Sequence, residues 1–372
     1  MILRSPVSGQ TLTADGHSLI AAGERWPLVD NIAFLRADRR ALADAVLSAL
    51  DAGDTEGALI LLLGDQDGWA RTPPPSEDAR RAVISGRDTL SFRSAMELLA
   101  FGPVGTYFTH RWSDPTFLSG LALAQSHWHA PASVFETGCG AGHFLRAFAP
   151  HAAHVAGGDL VFAKLWLARH FVAPTAELVC FDAAAPWPLA DHAADLVFCH
   201  DAFYFLPNKP HVAAEMARVA PAILVGHAHN ALTETLSSGA PLDPAGYAAL
   251  FPGAVLYDDR ELTQALVEVR TPCASTAADL ATTPAITLAL AGRADCAAGP
   301  LTTPPPGVTL RRNPLYDAGR IAWPSPRYEA EYAGLATYPM HTDAPDNAQA
   351  GASAAIDALA RDRVLLDLPE RW

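Results

Sequence analysis

Three histidines and a neighbouring acid form the most chemically versatile group of residues in the sequence. His200 is followed directly by Asp201, and His227 and His229 form a His-x-His pair. An imidazole can accept a proton near neutral pH, and a carboxylate beside it can orient the ring. We therefore predict that this group removes a proton from a nucleophilic acceptor, or orients that acceptor.

The same residues allow a second interpretation as a metal site. A His-x-His pair supplies two nitrogen ligands, and His200 or Asp201 could supply the third that a zinc or iron site needs. The five cysteines show no C-x-x-C spacing and are expected to be reduced, mostly buried thiols. Between the two interpretations we favour proton transfer, and we predict that the site holds no metal.

A glycine-rich stretch is the clearest element that can position a ligand beside these residues. The short apolar lead Val134-Phe135 ends in Glu136, glycines follow at alternate positions from 138 to 142, and an amphipathic run then begins. This order predicts a strand, a tight turn and the start of a helix, with a backbone that a ligand can approach closely. The dinucleotide pattern G-x-G-x-x-G is not matched, because its third glycine would fall at His143.

Downstream, apolar runs that end in polar residues alternate with segments of helical spacing. The predicted strands cover residues 154–159, 177–182, 195–199 and 222–226, and the predicted helices run from Val161 to Phe171 and from Val212 to Val219. Such alternation predicts an α/β fold with a largely parallel sheet, whose ligand binds at the carboxyl ends of the strands. His200 and Asp201 follow one of these strand ends, and His227 and His229 follow another.

This succession, over roughly residues 130–295, resembles the class I S-adenosylmethionine (SAM) dependent methyltransferases, whose cofactor loop reads E/D-x-G-x-G-x-G. The resemblance implies a Rossmann-like doubly wound sheet, SAM as cofactor and methyl transfer as the reaction. It also implies that Glu136 holds the amino end of SAM. The other residues that it assigns to cofactor binding are Gly138, Gly140 and Gly142 (methionine and ribose), Asp159 and Leu160 (ribose hydroxyls), Asp182 and Ala183 (adenine edge), and Arg111 (carboxylate).

The first 35 residues resemble a small zinc-ribbon domain that precedes some ribosomal RNA guanine methyltransferases. Ser5 and Ser8 stand where that family has its first cysteine pair, and the second pair would fall near Leu19 and Ala22. None of these side chains supplies a thiolate, so we expect a segment that folds without zinc around an apolar core. The RNA-binding role of that domain is in doubt for the same reason.

We divide the chain into four segments. Residues 1–37 are the zinc-ribbon-like segment, 38–128 a helical region, 129–295 the SAM-binding domain, and 296–372 a proline-rich C-terminal extension of undefined role. Helices are expected over residues 116–128 and 354–368, a helical insertion over 232–266, and a last sheet strand over 285–291.

Composition limits the partners of this protein. The chain has 372 residues, of which 50% are hydrophobic and 18% charged. Its net charge is −14, and the sequence contains no stripe of basic residues. A nucleic-acid partner is therefore disfavoured. No signal peptide and no apolar run of the length that spans a bilayer is visible, so we expect a cytoplasmic protein without a membrane partner.

The sequence therefore predicts a SAM-dependent methyltransferase that acts on a small-molecule acceptor. Two alternatives stay open: an RNA methyltransferase, and a non-catalytic SAM-binding partner subunit. The identity of the acceptor, the atom that is methylated and the oligomeric state are not defined by the sequence.

Overall fold

The computed structural model describes residues 1–21, 23–68, 72–234 and 238–372. The chain forms two compact units. The first unit contains residues 1–105, 130–223 and 371–372, and the second contains residues 106–129 and 224–370. The four segments proposed from the sequence stay a prediction.

The helices vary in length from one and a half to just over three turns. They are α1 (Arg40–Asp51), α2 (Thr55–Leu63), α3 (Glu77–Ser85), α4 (Phe92–Leu98), α5 (Pro103–His110), α6 (Pro115–Ser126), α7 (His143–Phe148), α8 (Phe162–Leu167), α9 (Lys209–Val219), α10 (Pro244–Leu250), α11 (Asp259–Val267), α12 (Pro326–Tyr332) and α13 (Ala354–Arg361).

The strands are short, as expected for a mixed α/β protein. They are β1 (Thr13–Asp15), β2 (Ser18–Ala21), β3 (Glu24–Val29), β4 (Ile32–Phe34), β5 (Ser133–Thr137), β6 (His154–Asp159), β7 (Glu177–Cys180), β8 (Leu196–His200), β9 (Ala222–His229), β10 (Val255–Asp258), β11 (Ala285–Leu290), β12 (Thr309–Arg312), β13 (Tyr316–Asp317), β14 (Arg320–Ile321), β15 (Asn347–Gln349) and β16 (Leu365–Leu366).

The sheet of the first unit has the strand order β1-β2-β3-β4-β7-β6-β5-β8. The pairs β4–β7, β7–β6, β6–β5 and β5–β8 are all parallel. The chain order reverses between β5 and β8, and such a switch point is where ligands bind in doubly wound sheets, beyond the carboxyl ends of the strands. The predicted Rossmann-like α/β fold is confirmed.

The N-terminal segment is part of this sheet. The strands β1 to β4 form antiparallel neighbours, and β4 then pairs in parallel with β7, with Ile32 opposite Leu178 and Phe34 opposite Cys180. Ile32 and Phe34 are fully buried. The segment thus has an apolar core of the kind expected from the sequence, and it adds four strands to the sheet.

Hydrogen bonds organise the turn where the zinc-ribbon family has cysteines. The hydroxyl of Ser5, which is 2% exposed, accepts hydrogen bonds from the backbone N–H groups of Val7 and Ser8, both at 3.1 Å. The same hydroxyl donates a hydrogen bond to the carboxylate of Glu24. Of the four predicted positions, Ala22 lies outside the described residues.

Two predicted elements of the first unit differ in their ends. The helix predicted from Val161 begins at Phe162 and changes at Ala168 into a wider π-helical turn that ends at Val172. The third predicted strand stops at Cys180, so Asp182 lies in the following loop, where its Oδ1 accepts a hydrogen bond from the N–H of Ala184. Prediction of such ends is imprecise because the final turn or residue of an element depends on packing.

The second unit contains strands in the order β9-β11-β10, with β10 antiparallel to β11. The helical insertion predicted over residues 232–266 is wrong in part. The described residues of this stretch contain α10 and all of α11 except its last residue, but also β10. The residues Val255, Leu256 and Tyr257 favour a strand, and β11 provides a partner for their backbone groups.

The C-terminal helix is shorter than predicted. It ends at Arg361, and Arg363 has a left-handed φ of 62°. The chain then continues as β16, which pairs with β12. Two small apolar clusters support this extension. One contains Leu310, Ala350, Ala360 and Leu365, and the other Leu315, Tyr328, Tyr332, Tyr338 and Val364.

A membrane-spanning segment would need a long apolar helix. Across the four described stretches, no helix has both the length and the hydropathy required for one.

Candidate active site

The turn that follows β5 requires glycine at alternate positions. Gly138, Gly140 and Gly142 have φ values of 68°, 53° and 81°, in the left-handed region that L-residues with a side chain rarely adopt. Space is limited as well, because a Cβ atom at position 138 would lie 2.7 Å from the Cβ of Ala202. The backbone conformation therefore explains the alternating glycines, and the turn lies at the switch point of the sheet.

Asp159, at the carboxyl end of β6, is bound to this turn. Its Oδ2 accepts a hydrogen bond from the N–H of Gly140 at 3.0 Å, and its Oδ1 accepts one from the N–H of Val161 at 2.9 Å. An ionised carboxylate has about four acceptor positions, so two further donors can be accommodated. Main-chain donors thus hold the carboxylate in a defined orientation.

A lysine accompanies this carboxylate. The Nζ of Lys164 lies 3.6 Å from Oδ1 of Asp159 and 3.7 Å from Oδ2 of Asp67. Burial alone would lower the pKa of Lys164, but these two carboxylates outweigh it and raise the pKa. Lys164 therefore stays charged and balances part of the negative charge near the glycine turn.

Two buried acids, Glu136 and Asp159, lie at or near the glycine turn. Glu136 is 2% exposed on β5 and Asp159 is 8% exposed. Burial raises the pKa of Cys139 well above its usual value, and the negative charges of Glu136 and Asp159 raise it further. The same two causes, with Glu136 and Asp201 as the acids, raise the pKa of Cys199. A positively charged ligand is favoured in such surroundings.

Leu160, Asp182 and Ala183 lie in the loops after β6 and β7. The carbonyl of Leu160 accepts a hydrogen bond of 3.2 Å from the buried Arg36, and Ala183 is 8% exposed. Asp182 is half-buried, and its hydrogen bond with Ala184 shows that it also caps a turn. The adenine-edge role of Asp182 and Ala183 stays a prediction.

His200 and Asp201 lie at the carboxyl end of β8. His200 is 4% exposed, and its ring centroid lies 4.8 Å from that of Phe144 and 5.9 Å from that of Phe198. Asp201 has a left-handed φ of 54°, and its Oδ1 accepts a hydrogen bond of 2.9 Å from the hydroxyl of Tyr204. His200 is therefore packed among aromatic rings, whereas Asp201 has a conformation that costs energy, as residues at functional sites often do.

His227 and His229 belong to the second unit, at the end of β9. Their ring centroids are 5.2 Å apart. The Nδ1 of His227 lies 2.8 Å from Oδ2 of Asp259, the first residue of α11. Asp259 was not among the site residues predicted from the sequence, because it lies in the stretch 232–266 that was predicted to be a helical insertion.

Arg111, also in the second unit, has a structural partner. Its Nη1 donates hydrogen bonds to Oδ2 of Asp114 at 2.9 Å and to the hydroxyl of Thr116 at 3.0 Å. All three side chains are buried. These bonds hold the start of α6, where Asp114 is the N-cap, and they give Arg111 a structural function beside the cofactor role that stays a prediction.

Residues 135–221 match the family model described as "Methyltransferase domain". This part of the chain is a methyltransferase domain. The match begins in β5, includes the glycine turn, Asp159 and His200, and ends after α9. SAM is the cofactor of this domain.

Solved structures, two of which are named methyltransferases, resemble the chain only in part. Phosphoethanolamine N-methyltransferase 2 of Haemonchus contortus is 17% identical, with 48% of this chain and 49% of that chain covered and a TM-score of 0.35. The YcgJ protein of Bacillus subtilis is 19% identical, with coverage of 46% and 94% and a TM-score of 0.32. CalS10 of Micromonospora echinaspora, an amino pentose methyltransferase, is 27% identical, with coverage of 33% and 55% and a TM-score of 0.27.

The matches span about half of the Haemonchus and Micromonospora proteins. No curated protein sequence matches the chain.

The residues of the methyltransferase domain fit SAM chemically. The cofactor has a positively charged sulfonium, a ribose diol and an amino acid end. The domain offers the negative charges of Glu136 and Asp159, a turn without side chains at Gly138 and Gly140, and a carboxylate with acceptor capacity left for a diol.

Proposed function

We propose that the protein transfers the methyl group of SAM to a small-molecule acceptor. Glu136 would hold the amino end of the cofactor, the glycine turn would approach its methionine and ribose, and Asp159 would accept hydrogen bonds from the ribose hydroxyls. The observation that carries the cofactor part is the hydrogen bond from the N–H of Gly140 to Asp159, which couples the turn to the acid.

The small-molecule acceptor is supported by charge. The net charge of −14 opposes binding to a polyanion such as RNA, because phosphate contacts require clustered lysine or arginine. The turn at Ser5 is organised by hydrogen bonds to Val7, Ser8 and Glu24, without the thiolates of a zinc ribbon. These features favour the small-molecule alternative over the RNA alternative.

For the acceptor side, we propose that a histidine takes up the proton that an oxygen or nitrogen acceptor loses. The candidate bases are His200, His227 and His229, and Asp201 would orient the ring of His200. His227 is the strongest candidate for the base, because its Nδ1 contacts the carboxylate of Asp259. A proton on Nδ1 leaves Nε2 as the nitrogen that accepts a proton. Bound SAM supplies an electrophilic methyl group on a positively charged sulfur.

Calorimetry with SAM and S-adenosylhomocysteine tests the cofactor part. We expect a dissociation constant in the micromolar range, about −8 kcal/mol. Glu136→Gln should weaken binding of SAM, because it removes a buried negative charge, and Glu177→Gln, an exposed acid at the start of β7, is the matched control. Absence of heat and of a thermal shift with both ligands would contradict the proposal.

Transfer of a radiolabelled methyl group from SAM tests the acceptor class. The protein is incubated with labelled SAM and a panel of small phenols, carboxylic acids and amines, and separately with labelled SAM and total RNA. Label in a small molecule and none in RNA is the expected result. Label in RNA alone would support the RNA methyltransferase. Binding of SAM without transfer to any acceptor would support the non-catalytic partner subunit.

A further inference from the structure

The carboxylate of Asp259 is the centre of a buried polar cluster in the second unit. Asp259 is 8% exposed and opens α11, yet the N-cap of this helix is its neighbour Asp258, which accepts a hydrogen bond from the N–H of Arg260. The side chain of Asp259 is therefore available for contacts other than capping.

Three side chains from three different elements converge on this carboxylate. Its Oδ2 lies 2.8 Å from Nδ1 of His227 in β9 and 2.8 Å from the hydroxyl of Ser119 in α6, and its Oδ1 accepts a hydrogen bond of 2.8 Å from the hydroxyl of Thr287 in β11. Ser119 is 1% exposed and Thr287 is fully buried. Groups at this degree of burial are rigid, and each contact limits the orientation of the carboxylate.

Thr287 also controls the backbone of the histidine. Its hydroxyl accepts a hydrogen bond of 3.2 Å from the N–H of His227 while it donates to Asp259. A hydroxyl has one proton and two lone pairs, so both bonds are compatible. The φ of His227 is 51°, a left-handed conformation that costs energy for a residue with a side chain. The surroundings thus fix the ring and the main chain of His227 together.

We propose that Asp259 is a positioning residue that holds the ring of His227 with Nδ1 protonated, so that Nε2 carries the lone pair that accepts a proton. A carboxylate can only accept hydrogen bonds, and a neutral imidazole has one donor and one acceptor nitrogen. The 2.8 Å contact with Asp259 therefore assigns the proton to Nδ1. This inference rests on the proposed function, in which His227 is the base.

Nitrogen-15 NMR of the histidine rings tests the tautomer without any acceptor. In the wild-type protein, at a pH where His227 is neutral, we expect a protonated Nδ1 and a pyridine-like Nε2. In Asp259→Asn the Nε2–H form should gain population, because an amide can donate where the carboxylate only accepted. A wild-type protein with the proton on Nε2 would overturn the proposal, even if the variant fails to fold.

Kinetics separate a positioning role from a structural one. With an acceptor found in the labelled panel, Asp259→Asn should lower kcat by about 10²-fold, within the range of a general base, and leave KM within about twofold. Asp258→Asn, the adjacent N-cap acid, is the matched control, and both variants should bind SAM as the wild type does. Equal kcat values in the two variants would overturn the proposal.

The outcomes distinguish this inference from the proposed function. If the wild type methylates nothing in the panel, the proposed function fails, whereas the ring spectrum still reports whether Asp259 sets the tautomer. If the wild type is active and the spectrum shows the Nε2–H form, only the positioning role fails.

Discussion

Asp159 and Asp259 are both 8% exposed, and both carboxylates accept several hydrogen bonds, but they are held in different ways. The hydrogen-bond donors to Asp159 are the main-chain N–H groups of Gly140, in the turn after β5, and of Val161, two residues beyond the acid, and Lys164 is its ion-pair partner. The donors to Asp259 are side chains of residues 119, 227 and 287, which are far apart in the sequence.

This difference explains which of the two sites a sequence reveals. A site made of backbone groups requires particular residues at fixed spacing, since only glycine adopts the conformations of Gly138 and Gly142 without a steric penalty. A site made of side chains requires only that Ser, Thr, His and Asp occur somewhere on the elements that the fold brings together. The first type leaves a motif, and the second leaves none.

The largest expected effect concerns the side-chain site. His227→Ala should lower kcat by about 10²- to 10⁴-fold through loss of the base, with unchanged SAM affinity. Steady-state kinetics and calorimetry measure the two quantities. His154→Ala, at the exposed start of β6, is the control. Wild-type turnover in His227→Ala would show that His227 is not the base. Alanine variants of His200 and His229 would then test whether one of these residues is.

The second largest effect is a pH dependence of the free energy of unfolding, caused by the buried His127 of the second unit. Burial lowers the pKa of His127 to about 4, and its Nε2 lies 3.1 Å from the hydroxyl of Tyr257. The unfolded chain takes up this proton near pH 6.5, whereas the folded protein does so only near pH 4. Stability should therefore fall as the pH drops between these values and then level off, by at most about 3 kcal/mol.

Denaturant unfolding at several pH values measures this loss. In His127→Gln, whose amide can still bond to Tyr257, the contribution of this residue should disappear and the acid-induced decrease should be smaller. An unchanged pH dependence in the variant would show that His127 is not the group responsible.

A smaller effect is expected at the backbone site. Asp159→Ala should weaken SAM binding by about 1–3 kcal/mol, because buried hydroxyls lose their acceptor. Asp259→Asn should leave the affinity unchanged, so calorimetry on the two variants tests the comparison directly. Equal affinity in Asp159→Ala and the wild type would mean that the ribose binds elsewhere.

The smallest effect concerns the turn at Ser5. Ser5→Ala should reduce the free energy of unfolding by about 1 kcal/mol, because the N–H groups of Val7 and Ser8 lose their acceptor. Ser85→Ala, at the exposed end of α3, is the control. Elemental analysis of the purified protein should show no stoichiometric zinc. One zinc per chain would contradict this expectation and direct attention to His200, His227 and His229.

Much of the fold of the first unit can be predicted from sequence because its central strands are buried. Such strands read as continuous apolar runs, and each ends at a polar residue such as Asp159 or His200. Within residues 232–266 the prediction was wrong in part, since Val255, Leu256 and Tyr257 form a strand only because β11 offers backbone partners. Asp259 was missed because its function depends on residues brought together by the fold.

The parallel pairing of β4 with β7 affects the tendency of the protein to associate with itself. Without residues 32–34, the backbone N–H and C=O groups of β7 on that side would have no strand partner, and β7 contains the buried apolar residues Leu178 and Val179. An open apolar strand edge is a template for pairing with other chains. By covering this edge, the N-terminal strands therefore oppose self-association of the methyltransferase domain.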